Sequence, residues 1–225
     1  MSLSDRTAGR RESASLDDFI AREVPVLEKL QLPYPPLTYV VVEKRVPLDG
    51  LWPEFGIWKG SSINFIAEHT AATVYGFYSF TGLPEEWRAG ALKGRYGIGG
   101  VLPAVRDNVR LVPGWFDATL PPFLAEHRET VALLHVASDI YSSTKTVLSQ
   151  LRARIVPGTV IVFDEMFNYP EYRDHEVKAF YEFLQETGMN FEWIGTRGPI
   201  RLDPDAEFEK WYYNQSRGFG LRIIP

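Results

Sequence analysis

The sequence predicts an α/β protein, a mostly parallel sheet with helices on both faces. Three observations carry this. From Leu51 onward, short apolar runs alternate with stretches of helical period. The runs are continuously apolar, as strands buried on both faces require. No repeat, low-complexity tract or linker interrupts the alternation, so right-handed crossovers can join successive strands.

Each element is read in order. Leu51 to Ile57 is a first strand running into a glycine-bearing turn, and Gly60 to Glu68 begins a helix capped by Ser61 or Ser62. Thr73 to Phe77, Val109 to Val112, Val131 to Val136 and Thr159 to Phe163 supply the next four strands. Helices fit at Leu120 to Glu126, Ser142 to Arg154 and His175 to Glu186. Phe191 to Thr196 and Gly218 to Ile224 read as strands with no good helix between them, hence an antiparallel hairpin at one sheet edge.

The N-terminal part differs. Residues 1–15 are polar, with Arg6, Arg10 and Arg11 and no apolar period, and are expected to be a disordered tail. Ser15 is placed as the cap of an accessory helix over 16–32, with Phe19, Ile20, Val24, Leu27 and Leu30 on one face. Pro33, Pro35 and Pro36 end it. Its apolar face has two outlets, its own domain or a second subunit in a homo-oligomer. Tyr39 to Val42 reads as a β-like run or an extended lead-in, and residues 16–225 as one domain.

Composition narrows the function. At 225 residues, 45% hydrophobic and 24% charged, the chain has the make-up of an ordinary globular protein with one substantial core. A net charge of −5 gives no electrostatic reason to expect nucleic acid or an acidic membrane surface as partner. The absence of cysteine rules out disulfides, thiol nucleophiles and thiolate metal sites together. No apolar run reaches membrane-spanning length and no signal core opens the chain, so a cytoplasmic location is the expectation. The 14% aromatic content fits a filled core, or a pocket for a flat ligand.

In open α/β sheets ligands bind beyond the carboxyl ends of the strands, where crossovers diverge to opposite faces. After the first strand stands Glu54-Phe-Gly56-Ile-Trp-Lys-Gly60-Ser61, whose glycines let backbone approach a ligand or simply make a tight turn. After the second comes Tyr78-Ser79-Phe80, where nucleoside ligands usually meet an acid that grips the ribose. After the third come Gly114, Trp115 and Phe116. Asp139 follows the fourth strand, and Asp164 and Glu165 the fifth. These three carboxylates would share one crevice and could hold a divalent cation or supply a general base. The alternative is that the aspartates only cap the turns. His135, inside an apolar strand, is read as a hydrogen-bonded core histidine; the other histidines lack metal-ligand spacing, and no serine-hydrolase elbow accompanies a histidine. The Gly- and Arg-rich stretch Glu85 to Asp107 is a lid or a packed surface loop.

Five strings, in this order and spacing, resemble a bacterial family. They are Glu54-Phe-Gly56-Ile-Trp-Lys-Gly60-Ser61, Gly76 to Glu85, Val112 to Pro121, Leu134 to Thr144 and Phe163-Asp164-Glu165, and they span about Leu51 to Phe183. The family is the class I S-adenosylmethionine-dependent methyltransferases related to the macrocin O-methyltransferases. The resemblance implies a Rossmann-like sheet of seven strands with an antiparallel last strand. It implies O-methylation of a small-molecule acceptor, a natural-product or sugar intermediate. It places the cofactor against Glu54, Gly56, Gly60, Ser61, Tyr78, Ser79, Phe80, Gly114 and Trp115, the methionine part at the first turn and the ribose and adenine at the second. Asp139 becomes the candidate base, with Mg²⁺ held by Asp164, Glu165 and Asp139. Three departures weigh against a full site. Tyr78 stands where the ribose-gripping acid is expected, Thr81 replaces the next acid, and Ala137 replaces one metal ligand. Weakened or lost cofactor binding is therefore the alternative, with the fold serving a repurposed isomerase or cyclase, or a non-catalytic binding or scaffold subunit.

Overall fold

The computed structural model describes residues 15–215 and 218–225. The expected tail over 1–14 lies outside the described residues. Seven strands form one sheet in the order β3-β2-β1-β4-β5-β7-β6. They are β1 (Trp52–Phe55), β2 (Val74–Tyr78), β3 (Val109–Pro113), β4 (Leu133–Val136), β5 (Val160–Phe163), β6 (Asn190–Thr196) and β7 (Phe219–Ile224). The first five pair in parallel, and β7 runs antiparallel to both β5 and β6. The order turns back between β1 and β4, the place where crossovers diverge and a crevice opens.

Alternate strand residues feed two cores, one per face. In β5, Ile161 and Phe163 join the larger core. Val160 and Val162 join the smaller. The larger core takes its helical side from α1 (Leu16–Leu27), α4 (Phe116–Glu126), α5 (Tyr141–Leu151), α6 (Glu176–Thr187) and α7 (Ala206–Gln215), and the smaller from α2 (Pro36–Val42) and α3 (Ser61–Glu68). Among the described residues no helix is long and apolar enough to cross a membrane.

Several expectations change. The N-terminal helix is capped as expected, Asp18 N donating to the Ser15 hydroxyl at 3.1 Å, but it ends at Leu27 and not near residue 32. Its apolar face is used within the chain: the Phe19 ring meets Phe180 and Phe191 at 6.4 and 6.2 Å. Tyr39 to Val42 is helical. Pro36 at the first position supplies the helical φ, and burial of Val40 and Val41 outweighs their β propensity. Neither Ser61 nor Ser62 caps α3; Gly60, left-handed at φ 83°, takes the cap position. The last two strands pair antiparallel at one sheet edge as expected, β6 outermost and β7 against β5, but helix α7 separates them in sequence where none was expected. Among its described side chains, Phe208 and Tyr212, four residues apart, are buried.

Candidate active site

A buried polar chain crosses the middle of the sheet. Glu54 of β1 and His135 of β4 are register partners, so both side chains leave the same face. The Ser62 hydroxyl, from the first turn of α3, donates to Glu54, which explains why it does not cap the helix. Helix α3 comes this close because Gly76 of β2 has no side chain: a Cβ there would sit 2.5 Å from the Ile63 methyl. The His135 ring is fully buried, with Nδ1 3.5 Å from Glu54 and Nε2 donating to the Asp164 carboxylate at 3.0 Å. Burial alone would lower its pKa, but Asp164 and Glu54 outweigh it and push it up to about 10. The two carboxylates thus favour the protonated ring, and His135 is a core histidine hydrogen-bonded through Nε2.

At the carboxyl end of the parallel strands lies a cavity of about 370 Å³. Turns after all five parallel strands contribute to it: Gly56 and Trp58 after β1, Tyr78 and Ser79 at β2, Trp115 to Asp117 after β3, Ala137 to Asp139 after β4, and Glu165 after β5. Gly56 makes the close approach of two turns feasible, since a Cβ at φ 98° would lie 1.8 Å from the Ala137 carbonyl oxygen. Three lining residues, Trp58 (φ 39°), Tyr96 (φ 65°) and Asp139 (φ 64°), adopt the left-handed conformation without being glycine. Each such residue costs about 1–3 kcal/mol and is held by its surroundings. The Asp139 turn is braced by a 3.1 Å hydrogen bond between the Ser138 and Thr144 hydroxyls.

Of the residues expected at the site, Gly56, Tyr78, Ser79, Trp115, Asp139 and Glu165 line the cavity. Glu54, Gly60, Ser61, Phe80, Gly114 and Asp164 do not. Glu54 and Asp164 are engaged by His135. Gly60 faces Pro103. Phe80 is buried in the smaller core. The sequence reading missed Trp58, Tyr96 and Asp117. Tyr96 comes from the long 85–107 connection, which is packed and not idle: Trp87 and Ala91 are buried, and the Phe80 carbonyl accepts from Ile98 N and Gly100 N at 3.0 and 3.1 Å. The Trp58 and Tyr96 rings meet edge-on at 5.6 Å. The aromatic richness of the sequence was the one hint of this wall.

The donor set does not fit a divalent cation. Among the described residues no three His, Cys, Asp or Glu side chains are gathered as ligands. Asp139 and Glu165 face the cavity, but Asp164 turns to the His135 side, because successive residues leaving a strand point oppositely. The expected trio of Asp139, Asp164 and Glu165 is thus split, with the His135 ring already on Asp164.

Comparison with known proteins agrees with the fold. Residues 102–193 match the macrocin O-methyltransferase (TylF) family. A curated relative from Streptomyces olivaceus, 8-demethyl-8-(2,3-dimethoxy-alpha-L-rhamnosyl)-tetracenomycin-C 4'-O-methyltransferase, is 31% identical over 142 residues, 50% of this chain and 51% of that protein. Demethyldecarbamoylnovobiocin O-methyltransferase of Streptomyces niveus is 29% identical over 172 residues, 65% of this chain and 64% of the relative. The chain thus spans about half to two thirds of these two relatives. Among solved structures, the calicheamicin methyltransferase CalS11 superposes with a TM-score of 0.64 at 21% identity, covering 94% of this chain and 87% of that one. The O-methyltransferase NovP gives 0.55 at 21% identity, covering 90% and 80%. The chain is thus similar to the macrocin O-methyltransferases over residues 102–193 and shares its fold with the solved methyltransferases.

Proposed function

We propose that this protein methylates a hydroxyl oxygen of a small-molecule acceptor, using S-adenosylmethionine, with residues 16–225 acting as one catalytic unit. The observation that carries this is the convergence of five strand-end turns on one cavity. The names of the relatives, O-methyltransferases of natural products, supply the reaction class. The cofactor, when bound, would supply an electrophilic methyl group for displacement by the acceptor oxygen. The residues present fit such a group in two respects. Gly56 brings the β1 turn against the β4 turn without a side chain between them, and Trp58, Tyr96 and Trp115 offer aromatic walls to a flat base.

The work left to this chain is mostly orientation and exclusion of water. Asp139 is the base: its carboxylate would take the acceptor hydroxyl proton as the oxygen attacks. Its left-handed backbone, braced by Ser138 and Thr144, fixes the carboxylate on the cavity wall. No step is assigned to a divalent cation, because its ligands are not assembled. A second reading keeps the fold without methyl transfer, and Tyr78 favours it, since this ring occupies the turn where a ribose-binding acid is expected. Titration calorimetry with S-adenosylmethionine and S-adenosylhomocysteine tests the choice. Heat of binding for either is expected; silence from both at millimolar concentration would leave the second reading standing.

A further inference from the structure

Resting on the methyl-transfer reading, we propose that this chain seats its nucleoside cofactor without gripping the ribose diol, and that Tyr78 is the residue that sets this. In open α/β sheets the end of the second strand presents the acid that accepts the ribose hydroxyls. Here β2 ends on Tyr78, buried and on the cavity wall. Its hydroxyl donates to the Tyr96 carbonyl oxygen at 3.1 Å, so its single hydrogen is spent. Its ring stands edge-on to Phe80 at 5.4 Å, and burial pushes the phenol pKa up, so it stays uncharged. A neutral phenol oxygen offers a lone pair to one hydroxyl; a carboxylate accepts two with charge assistance.

The neighbouring polar groups do not stand in for the acid. The Ser79 hydroxyl donates to the Gly82 carbonyl oxygen at 3.2 Å and accepts from the Thr81 amide and hydroxyl at 3.3 and 3.1 Å. The turn therefore closes on itself. The next carboxylate along the chain, Glu85, accepts from the Ser142 hydroxyl at 2.6 Å and is not on the cavity wall. Of the lining acids, Asp139 and Glu165 come from beyond β1, after β4 and β5, while Asp117 follows β3, beside β2, and is exposed in the first turn of α4. What the β2 side offers a nucleoside is an aromatic face. The Tyr78 bond fixes Tyr96, and Tyr96 in turn meets Trp58.

The test is calorimetry on the full chain with S-adenosylhomocysteine and its 2′-deoxyribose analogue. The two are expected to bind within about threefold, because a lost charge-assisted hydrogen bond would cost about tenfold or more. Tyr78→Phe keeps the ring and removes the bond to Tyr96, and is expected to keep the indifference. Tyr78→Asp, with folding checked by circular dichroism, is expected to bind S-adenosylhomocysteine more tightly and to discriminate against the deoxy analogue by about tenfold or more. Wild-type protein that loses tenfold or more on removal of the hydroxyl overturns the inference, since another group then grips the ribose. Binding of neither compound to wild type or to Tyr78→Asp overturns the methyl-transfer reading itself, and this inference with it. Binding by Tyr78→Asp alone overturns the inference that the wild-type chain seats the cofactor without the diol, and shows that Tyr78 has closed the site.

Discussion

Asp139 and His135 are both buried acid–base groups, yet the structure gives them different work. Asp139 faces the cavity and His135 faces two carboxylates. Replacing Asp139 with Asn keeps its shape and removes a base, so methyl transfer should fall by about 10²–10⁴-fold while S-adenosylhomocysteine affinity stays nearly constant. A rate within a few-fold of wild type would remove Asp139 from the chemistry. For His135 the sign follows from its raised pKa. The stabilisation it provides is complete below its ordinary 6.5 and is lost as pH rises through about 10. Urea unfolding should therefore show stability declining across that window. His135→Gln should be less stable by about 3 kcal/mol at neutral pH and show a flatter decline. Unchanged stability of the wild type up to pH 10 would mean the ring is neutral. These two roles were separable in the sequence, since a lone histidine in an apolar strand and an acid just past a strand end have different surroundings. The split between Asp164 and Glu165 was not. Adjacency in sequence suggested one crevice, and only the strand pleat sends them opposite ways.

The strands were the most legible elements, and the short helices the least. Continuous apolar runs identify β1 to β5 because both faces of the sheet are covered. Helix α2 carries three consecutive valines, and its helical state is decided by Pro36 at its start and by packing against the sheet. Helix α7 was missed although Phe208, Trp211 and Tyr212 stand at the i, i+3, i+4 spacing of a helix face, because only ten residues carry the pattern. Its importance is also hidden from the sequence. The Tyr212 hydroxyl donates to the Asp164 carbonyl oxygen at 2.8 Å and accepts from Gly218 N at 3.1 Å, fastening the helix to the end of β5 and to the approach of β7. Tyr212→Phe removes both bonds and leaves a buried amide and carbonyl short of a partner. A loss of about 1–3 kcal/mol in denaturant unfolding is expected. A loss below about 0.5 kcal/mol would show that water replaces the hydroxyl at little cost.

Across the whole molecule, the reversal of strand order places the cavity, and the charges of its rim follow from which turns reach it. Asp117, Asp139 and Glu165 line it, and among the described residues no Lys, Arg or His does. A phosphorylated acceptor would meet three carboxylates with no lining cation to offset them. A neutral acceptor should thus bind more tightly than its phosphate ester, by about tenfold or more at low salt, with the gap narrowing as salt is added. Equal affinity, or preference for the phosphate ester, would show that a cation enters with it. Fold and cavity position were readable because they depend on pattern and topology. The composition of the wall was not, because Tyr96 and Asp117 arrive from a long connection and a helix start whose paths the local sequence does not specify.

The place of β7 bears on how the protein is made. It is the last strand along the chain, yet it lies between β5 and β6 and hydrogen-bonds to both. During translation, a polypeptide that has emerged only as far as β6 cannot finish its sheet. The flank of β5 and the whole of β6 must wait with bare amides and carbonyls, the surface on which stray strands from other molecules add. Chaperone demand should accordingly peak in the interval after β6 has emerged and before β7 has, and substitutions that delay the docking of Phe219–Ile224 should lower soluble yield more than they lower the stability of the finished molecule.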